Sequence, residues 1–123
     1  MKKIQRITHK GKNIFFADYS SYKNREDKEN ILETLNETMA IMKQQPQNSA
    51  LMLTDVTNIF LEKDLSDQFT EMVEHNKPYV KKSAVIGVSG FKKSIHNIMM
   101  ALTGRQIKIF PDIDAAKDWL TED

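Results

Sequence analysis

The chain reads as an α/β protein: a single β-sheet, mainly parallel with an antiparallel hairpin at its amino end, flanked by about four helices. Three observations predict this. Short alternating or wholly apolar runs recur between segments whose apolar residues fall at helical spacing. The first two such runs are joined by a turn alone, which makes a hairpin. The length, 123 residues, is that of one domain with one real core, so residues 1–123 are taken as a single unit. Hydrophobic residues at 40% and charged residues at 28% are those of an ordinary folded chain. No apolar run is long enough to span a membrane. The opening MKKIQRITHKGKN lacks the apolar core of a signal peptide, which predicts a cytoplasmic protein. There is no cysteine, which excludes disulfides, thiolate metal sites and a cysteine nucleophile.

Taken in order, Ile4–Thr8 alternates, Lys10-Gly11-Lys12-Asn13 supplies a turn, and Ile14–Tyr19 is the second strand. Gly and Asn tolerate the positive φ that a tight turn needs. From Arg25 to Lys43 a helix is predicted by Ile31, Leu32, Leu35, Met39 and Met42, with acidic residues in its first turn and Lys43 at its end. Pro46 forbids its continuation. Ala50–Leu53 is a buried strand ending at Thr54-Asp55. Asp64 or Ser66 caps a second helix carrying Leu65, Phe69, Met72, Val73 and Val80, with Pro78 near its end. Ser83–Val88 is the clearest buried strand. Ser89-Gly90 opens a third helix with Phe91, Ile95, Ile98, Met99 and Leu102 inward, and Gly104 ends it. Gln106–Phe110 is the last strand, and Pro111-Asp112 starts a final helix with Ile113, Ala116, Trp119 and Leu120 inward. Strands alternating with helices imply parallel pairing and right-handed crossovers.

The formal net charge of +1 hides a block pattern. Residues 1–17 hold five basic residues and no acidic one, and residues 18–74 carry a net −7. Residues 75–111 hold seven basic residues and no acidic one, and the last twelve carry a net −4. Blocks of this kind either meet a charged partner or interleave in space and cancel. A dedicated nucleic-acid binder is more basic overall, with interleaved aromatics, so nucleic acid is not an expected partner.

Over residues 81–120 the chain runs KKSAVIGVSGFKKSIHNIMMALTGRQIKIFPDIDAAKDWL. A strand, a Val-Ser-Gly turn, a helix, a Gly, a strand ending in Phe and an Asp/Glu-x-Ala-x-x-Trp-Leu helix follow one another there. In Ser89-Gly90, Gly104, Phe110 and Ala115 to Leu120 this resembles bacterial STAS-like proteins. In length, element order and opening hairpin nearly the whole chain resembles a SpoIIAA-like domain of the STAS (sulfate transporter and anti-sigma factor antagonist) fold. That group is also similar to CRAL-TRIO lipid-transfer domains, which bind apolar ligands. The resemblance implies a regulatory, non-enzymatic interaction domain, with a phosphorylated serine in an Asp-Ser-Ser-Gly-type turn at the start of the second helix. The corresponding stretch here, Asn58 to Ser66, has no Ser-Gly turn. Ser66 is its nearest hydroxyl, either a phosphosite flanked by Asp64 and Asp67 or a plain helix cap.

Other candidates are weaker. Asp55 at a strand end, with Ser89 and Lys108, imitates a phosphoacceptor site, yet the paired acidic cluster such a site needs is reduced to Asp18. Asx hydrogen bonds ordering the next turn are the simpler role for Asp55. Ser89-Gly90-Phe91-Lys92-Lys93 could hold an anion at a helix start, or merely cap it. His9, His75 and His96 share no i,i+4 spacing, so no metal pair is expected and no cofactor is inferred. His96 extends the basic face of Lys92 and Lys93. Ile59-Phe60-Leu61 are apolar residues in an expected loop, which must fold over something.

Two functions follow as expectations. The first is a non-enzymatic regulatory or protein-interaction module, binding a protein partner or forming a homodimer. Its surface would be Thr57, Asn58, Ile59, Phe60, Leu61 and Ser66, with the basic turn of Ser89, Gly90, Lys92, Lys93 and His96. The second is a binder of a small apolar or anionic, lipid-like ligand in a groove between helices near Phe60, Phe69, Met72, Met99 and Met100.

Overall fold

The computed structural model describes residues 4–88 and 106–122. Five strands form one mixed sheet in chain order: β1 (Ile4–His9), β2 (Lys12–Asp18), β3 (Ala50–Asp55), β4 (Val80–Ile86) and β5 (Ile107–Phe110). β1 and β2 are antiparallel, and every later pairing is parallel. Three helices are described: α1 (Lys28–Lys43, after a 3-10 turn at Arg25–Asp27), α2 (Lys63–Asn76) and α3 (Ile113–Thr121). The expected third helix, with Gly104 at its end, lies outside the described residues.

Strand alternation divides the core in two. Phe15, Ala17, Ala50, Met52, Val80 and Val85 pack with Ile31, Leu35 and Met42 of α1 and Leu65, Phe69 and Met72 of α2. Ile14, Leu51, Leu53, Ala84 and Ile86 pack on the other face against Ala116 and Leu120 of α3. Sequential parallel strands joined by right-handed crossovers put their connecting helices on one face. α1 and α2 share theirs accordingly. α3 covers the opposite face.

Lysines on the sheet hold α3 by its carboxyl end. Lys82 Nζ donates to the carbonyls of Trp119 (2.8 Å) and Glu122 (3.0 Å), and Lys12 Nζ to that of Thr121 (3.1 Å). Ammonium groups satisfy the orphan carbonyls there and complement the negative end of the helix dipole. At the other end Asp112 caps the helix, its Oδ1 accepting from Ala115 N–H at 2.8 Å.

Several boundaries differ from expectation for local reasons. The hairpin turn is Lys10-Gly11, both at positive φ, and Asn13 lies inside β2. A two-residue turn with both φ positive matches the twist of the flanking strands, which is why the pairing runs out to His9–Lys12. Val80 opens β4 instead of riding on α2, because its strand pairs with Ala50 three residues earlier than Ser83. β4 stops at Ile86, where Gly87 turns to φ +85°. In α1 the buried stripe is Ile31, Thr34, Leu35, Thr38 and Met42, while Leu32 and Met39 are half-buried. The two threonines are tolerated because each hydroxyl donates to the carbonyl one turn back, Thr34 to Asn30 (2.7 Å) and Thr38 to Thr34 (2.8 Å).

Tyr19, just past β2, is fully buried, its ring 5.1 Å from Phe69 and 6.3 Å from Tyr22 between centroids. Among the described residues its hydroxyl has no partner at hydrogen-bonding geometry. Burial pushes the phenol pKa strongly up, against a smaller downward pull from the nearby Thr38 hydroxyl. An orphaned buried hydroxyl costs about 1–3 kcal/mol, so Tyr19→Phe is expected to leave stability unchanged or raise it by up to about that amount in urea titrations at neutral pH. Because the folded phenol keeps its proton past the unfolded value of about 10, its contribution is intact below that pH and is lost above it. The gap between Tyr19→Phe and wild type should therefore widen in favour of Phe by about 1.4 kcal/mol per pH unit above about 10. A clear loss at neutral pH would mean that the phenol is hydrogen-bonded after all.

Candidate functional site

Parallel strands β2, β3 and β4 all end at one edge of the sheet, where loops lead on to α1 and α2. Open α/β sheets place their sites at this carboxyl edge. Asp18 and Asp55 stand side by side in register there. Each carboxylate is engaged by its own loop. Asp18 Oδ1 accepts from Ser20 N–H at 2.8 Å. Asp55 Oδ1 accepts from the N–H of Thr57 (2.9 Å) and from its hydroxyl (2.6 Å), the Asx turn expected of it.

The segment between β3 and α2 is tied down from beneath. Val56 N–H donates to the Ile86 carbonyl (3.0 Å), Ile59 N–H to that of Val56 (3.2 Å), and Phe60 N–H to that of Tyr22 (2.7 Å). Ile59 is buried in the core shared with α1 and α2, and Phe60 and Leu61 pack half-buried against it. The apolar triplet that looked out of place in a loop is thus its anchor. Thr57 and Asn58 face solvent, with Asn58 at φ +56°, a conformation its short amide side chain tolerates. Gly87 completes the support. A Cβ there would lie 2.2 Å from Thr57 Oγ1 and 2.5 Å from Thr57 N.

Charges fasten the flank. Lys28 Nζ, at the start of α1, lies 2.6 Å from Glu62 Oε1 and 2.7 Å from Asp64 Oδ2. Arg25 lies 3.6 Å from the other Glu62 oxygen and stacks 5.5 Å above the Phe60 ring centre. The Lys28 hydrogen bond is the main cause holding the Asp64 carboxyl below the usual carboxylate range. In return Asp64, then Glu62, raises the Lys28 ammonium. Arg25 and Asp64 are exposed and Lys28 and Glu62 half-buried at the surface, so these pairs set orientation more than stability.

Neither Asp64 nor Ser66 caps α2. The cap position is Glu62. Asp64 is drawn to Lys28 and to Leu65 N–H (3.0 Å), and Ser66 Oγ donates back to the Glu62 carbonyl (3.2 Å). Ser66 therefore sits half-buried in the first turn with its hydroxyl on the helix backbone. Thr57, Asn58, Ile59, Phe60, Leu61 and Ser66 come together on this ledge. Ser89, Gly90, Lys92, Lys93 and His96 lie outside the described residues, as do Met99 and Met100. His9 pairs with Asp118 at 2.9 Å, and His75 meets its neighbour Asn76 at 3.0 Å. Among the described residues no group of three or more acidic or histidine side chains could hold a metal, and no helix is long and apolar enough to cross a membrane.

Phe69 and Met72 line an apolar pocket between α2 and the sheet, with Met52, Val85 and Ile107, but Phe60 does not. Its volume is about 60 Å³. Arg25, Lys28 and Gly87 escaped sequence reasoning. Only Gly87 left a signal, because a lone glycine in an apolar run marks a close backbone approach. No protein-family model, curated protein or solved structure matches the chain.

Two outcomes are expected. Gly87→Ala combines a positive φ with a direct clash against Thr57, and should cost about 2–4 kcal/mol in denaturant unfolding; a near-neutral result would show that the loop is not seated on Gly87. In a carbon-detected NMR titration, Asp64 should ionise below the usual range in wild type and return upward in Lys28→Ala. An Asp64 midpoint indifferent to that substitution would contradict the bridge.

Proposed function

We propose that this protein is a non-enzymatic, STAS-like regulatory module that binds a protein partner or a second copy of itself through the Thr57–Ser66 segment. The observation that carries the reading is the way this segment is held. Its apolar residues and backbone donors point into the core, while Thr57 and Asn58 are turned outward. A surface fixed before binding loses little conformational entropy on association, which favours recognition by shape and hydrogen bonding. The ion pairs of Arg25 and Lys28 extend it across the starts of both helices with charges of both signs. The resemblance to anti-sigma factor antagonists points to the same region. The lipid-like alternative asks for a cavity of roughly 300 Å³ or more; among the described residues the apolar pocket beside α2 offers about 60 Å³.

Lys63 is an exposed residue in the middle of this surface, and Glu33 is exposed on α1. A photo-crosslinking amino acid placed at 63 in cells of the source organism should give one discrete adduct of defined mass, a dimer or a heteromeric complex, while the same probe at 33 gives none. Equal, diffuse labelling from both positions would overturn the assignment of the surface.

A further inference from the structure

At the opposite, amino edge of the sheet the strands part. The β2–β3 ladder covers only Phe15–Asp18 against Met52–Asp55. Residues 12–14 of β2 pair with β1 alone, and Ala50 and Leu51 of β3 with β4 alone. Where the ladder stops there is a cleft of about 380 Å³, within the range of small-molecule sites.

Its walls are amphipathic. Phe15, Leu51 and Leu120 supply apolar surface, Asn13, Gln45 and Ser49 polar groups, and Arg6, Lys12 and Lys81 three cations. No lining residue among those described is acidic. Lys12 donates to the Thr121 carbonyl. Neither Arg6 nor Lys81 is in an ion pair among the described residues, and Arg6 is steadied over the Phe15 ring at 5.1 Å. Cations around one concave space with no acidic residue in its described lining favour an anion there, and the two positive charges of Arg6 and Lys81 match a doubly charged group better than a single carboxylate. The apolar part of the lining adds a place for a carbon body.

We propose that this cleft binds a small phosphorylated organic molecule, with Arg6 and Lys81 as its principal phosphate contacts. The site is separate from the carboxyl-edge surface and does not depend on the function assigned to that surface.

The test is an amide-resolved NMR titration at constant ionic strength with adenosine monophosphate and with glucose 6-phosphate as probes. Adenosine, glucose and inorganic phosphate serve as controls. At least one phosphorylated probe should give saturable shifts at Arg6, Asn13, Gln45, Ser49 and Ala50, and bind more tightly than inorganic phosphate, with no response to its unphosphorylated parent. Lys81→Gln and Arg6→Gln should each weaken binding about tenfold, the size of one lost charge-assisted contact, with thermal midpoints close to wild type. No saturable shift with either probe overturns the proposal. So does a parent compound or inorganic phosphate binding as tightly as the phosphorylated probe. Binding that survives both substitutions in folded protein overturns the assigned contacts.

Discussion

Every residue from Ala50 to Thr54 is buried, and β3 is covered on both faces by side chains of opposite parity. Ala50 and Met52 belong to the α1–α2 core and Leu51 and Leu53 to the α3 core. Because strand side chains alternate strictly, a one-residue slip would exchange the two sets and put each against the wrong partner. That constraint fixes the register of β2 and β4 on either side. It also fixes the level at which their carboxyl ends come together. The loops follow from it: Tyr19 N–H reaches the Asp55 carbonyl (2.8 Å), and Val56 N–H the Ile86 carbonyl, because those strand ends are already aligned.

The two edges of the sheet are finished differently. At the carboxyl edge the backbone continues to bond beyond the strands, Ile59 sinks into the core, and Gly87 lets the Thr57 turn rest directly on β4. At the amino edge β2 and β3 separate, and the gap is lined with cations instead of being closed by main chain. One edge offers a fixed relief anchored in the core, and the other a recess lined with cations. Both follow from one sheet whose pairing is complete at one end only.

Much of the fold was legible because it rests on period and punctuation. The hairpin showed in Gly11, α1 in its apolar stripe and Pro46, β3 in its unbroken apolar run, and α3 in the Asp112 cap. What escaped depends on distant partners. Val80 has an apolar side chain that suits a helix stripe as well as a strand, and only pairing with Ala50 decides. Asp64 has the chemistry of a cap, yet Lys28, 36 positions earlier in the chain, draws its carboxylate away. Thr34 and Thr38 read as polar because their hydroxyls look unsatisfied until the helix supplies carbonyls. At the candidate site the oddity of Ile59-Phe60-Leu61 was visible, but their role as an anchor was not. Arg6, Lys12 and Lys81 lie in the two purely basic blocks of the sequence, but nothing in the sequence showed that three different strands bring them to one cleft.

The central claim is that the Thr57–Ser66 surface is held by the core and is not an independently moving loop. Native-state amide hydrogen exchange tests this most directly, because it reads the opening energy of each donor. The account predicts that Val56 and Phe60 exchange with opening free energies close to those of the β3 amides, and that Tyr19 joins them. Exchange of Val56 and Phe60 as fast as that of solvent-exposed loop amides, with β3 still protected, would contradict it.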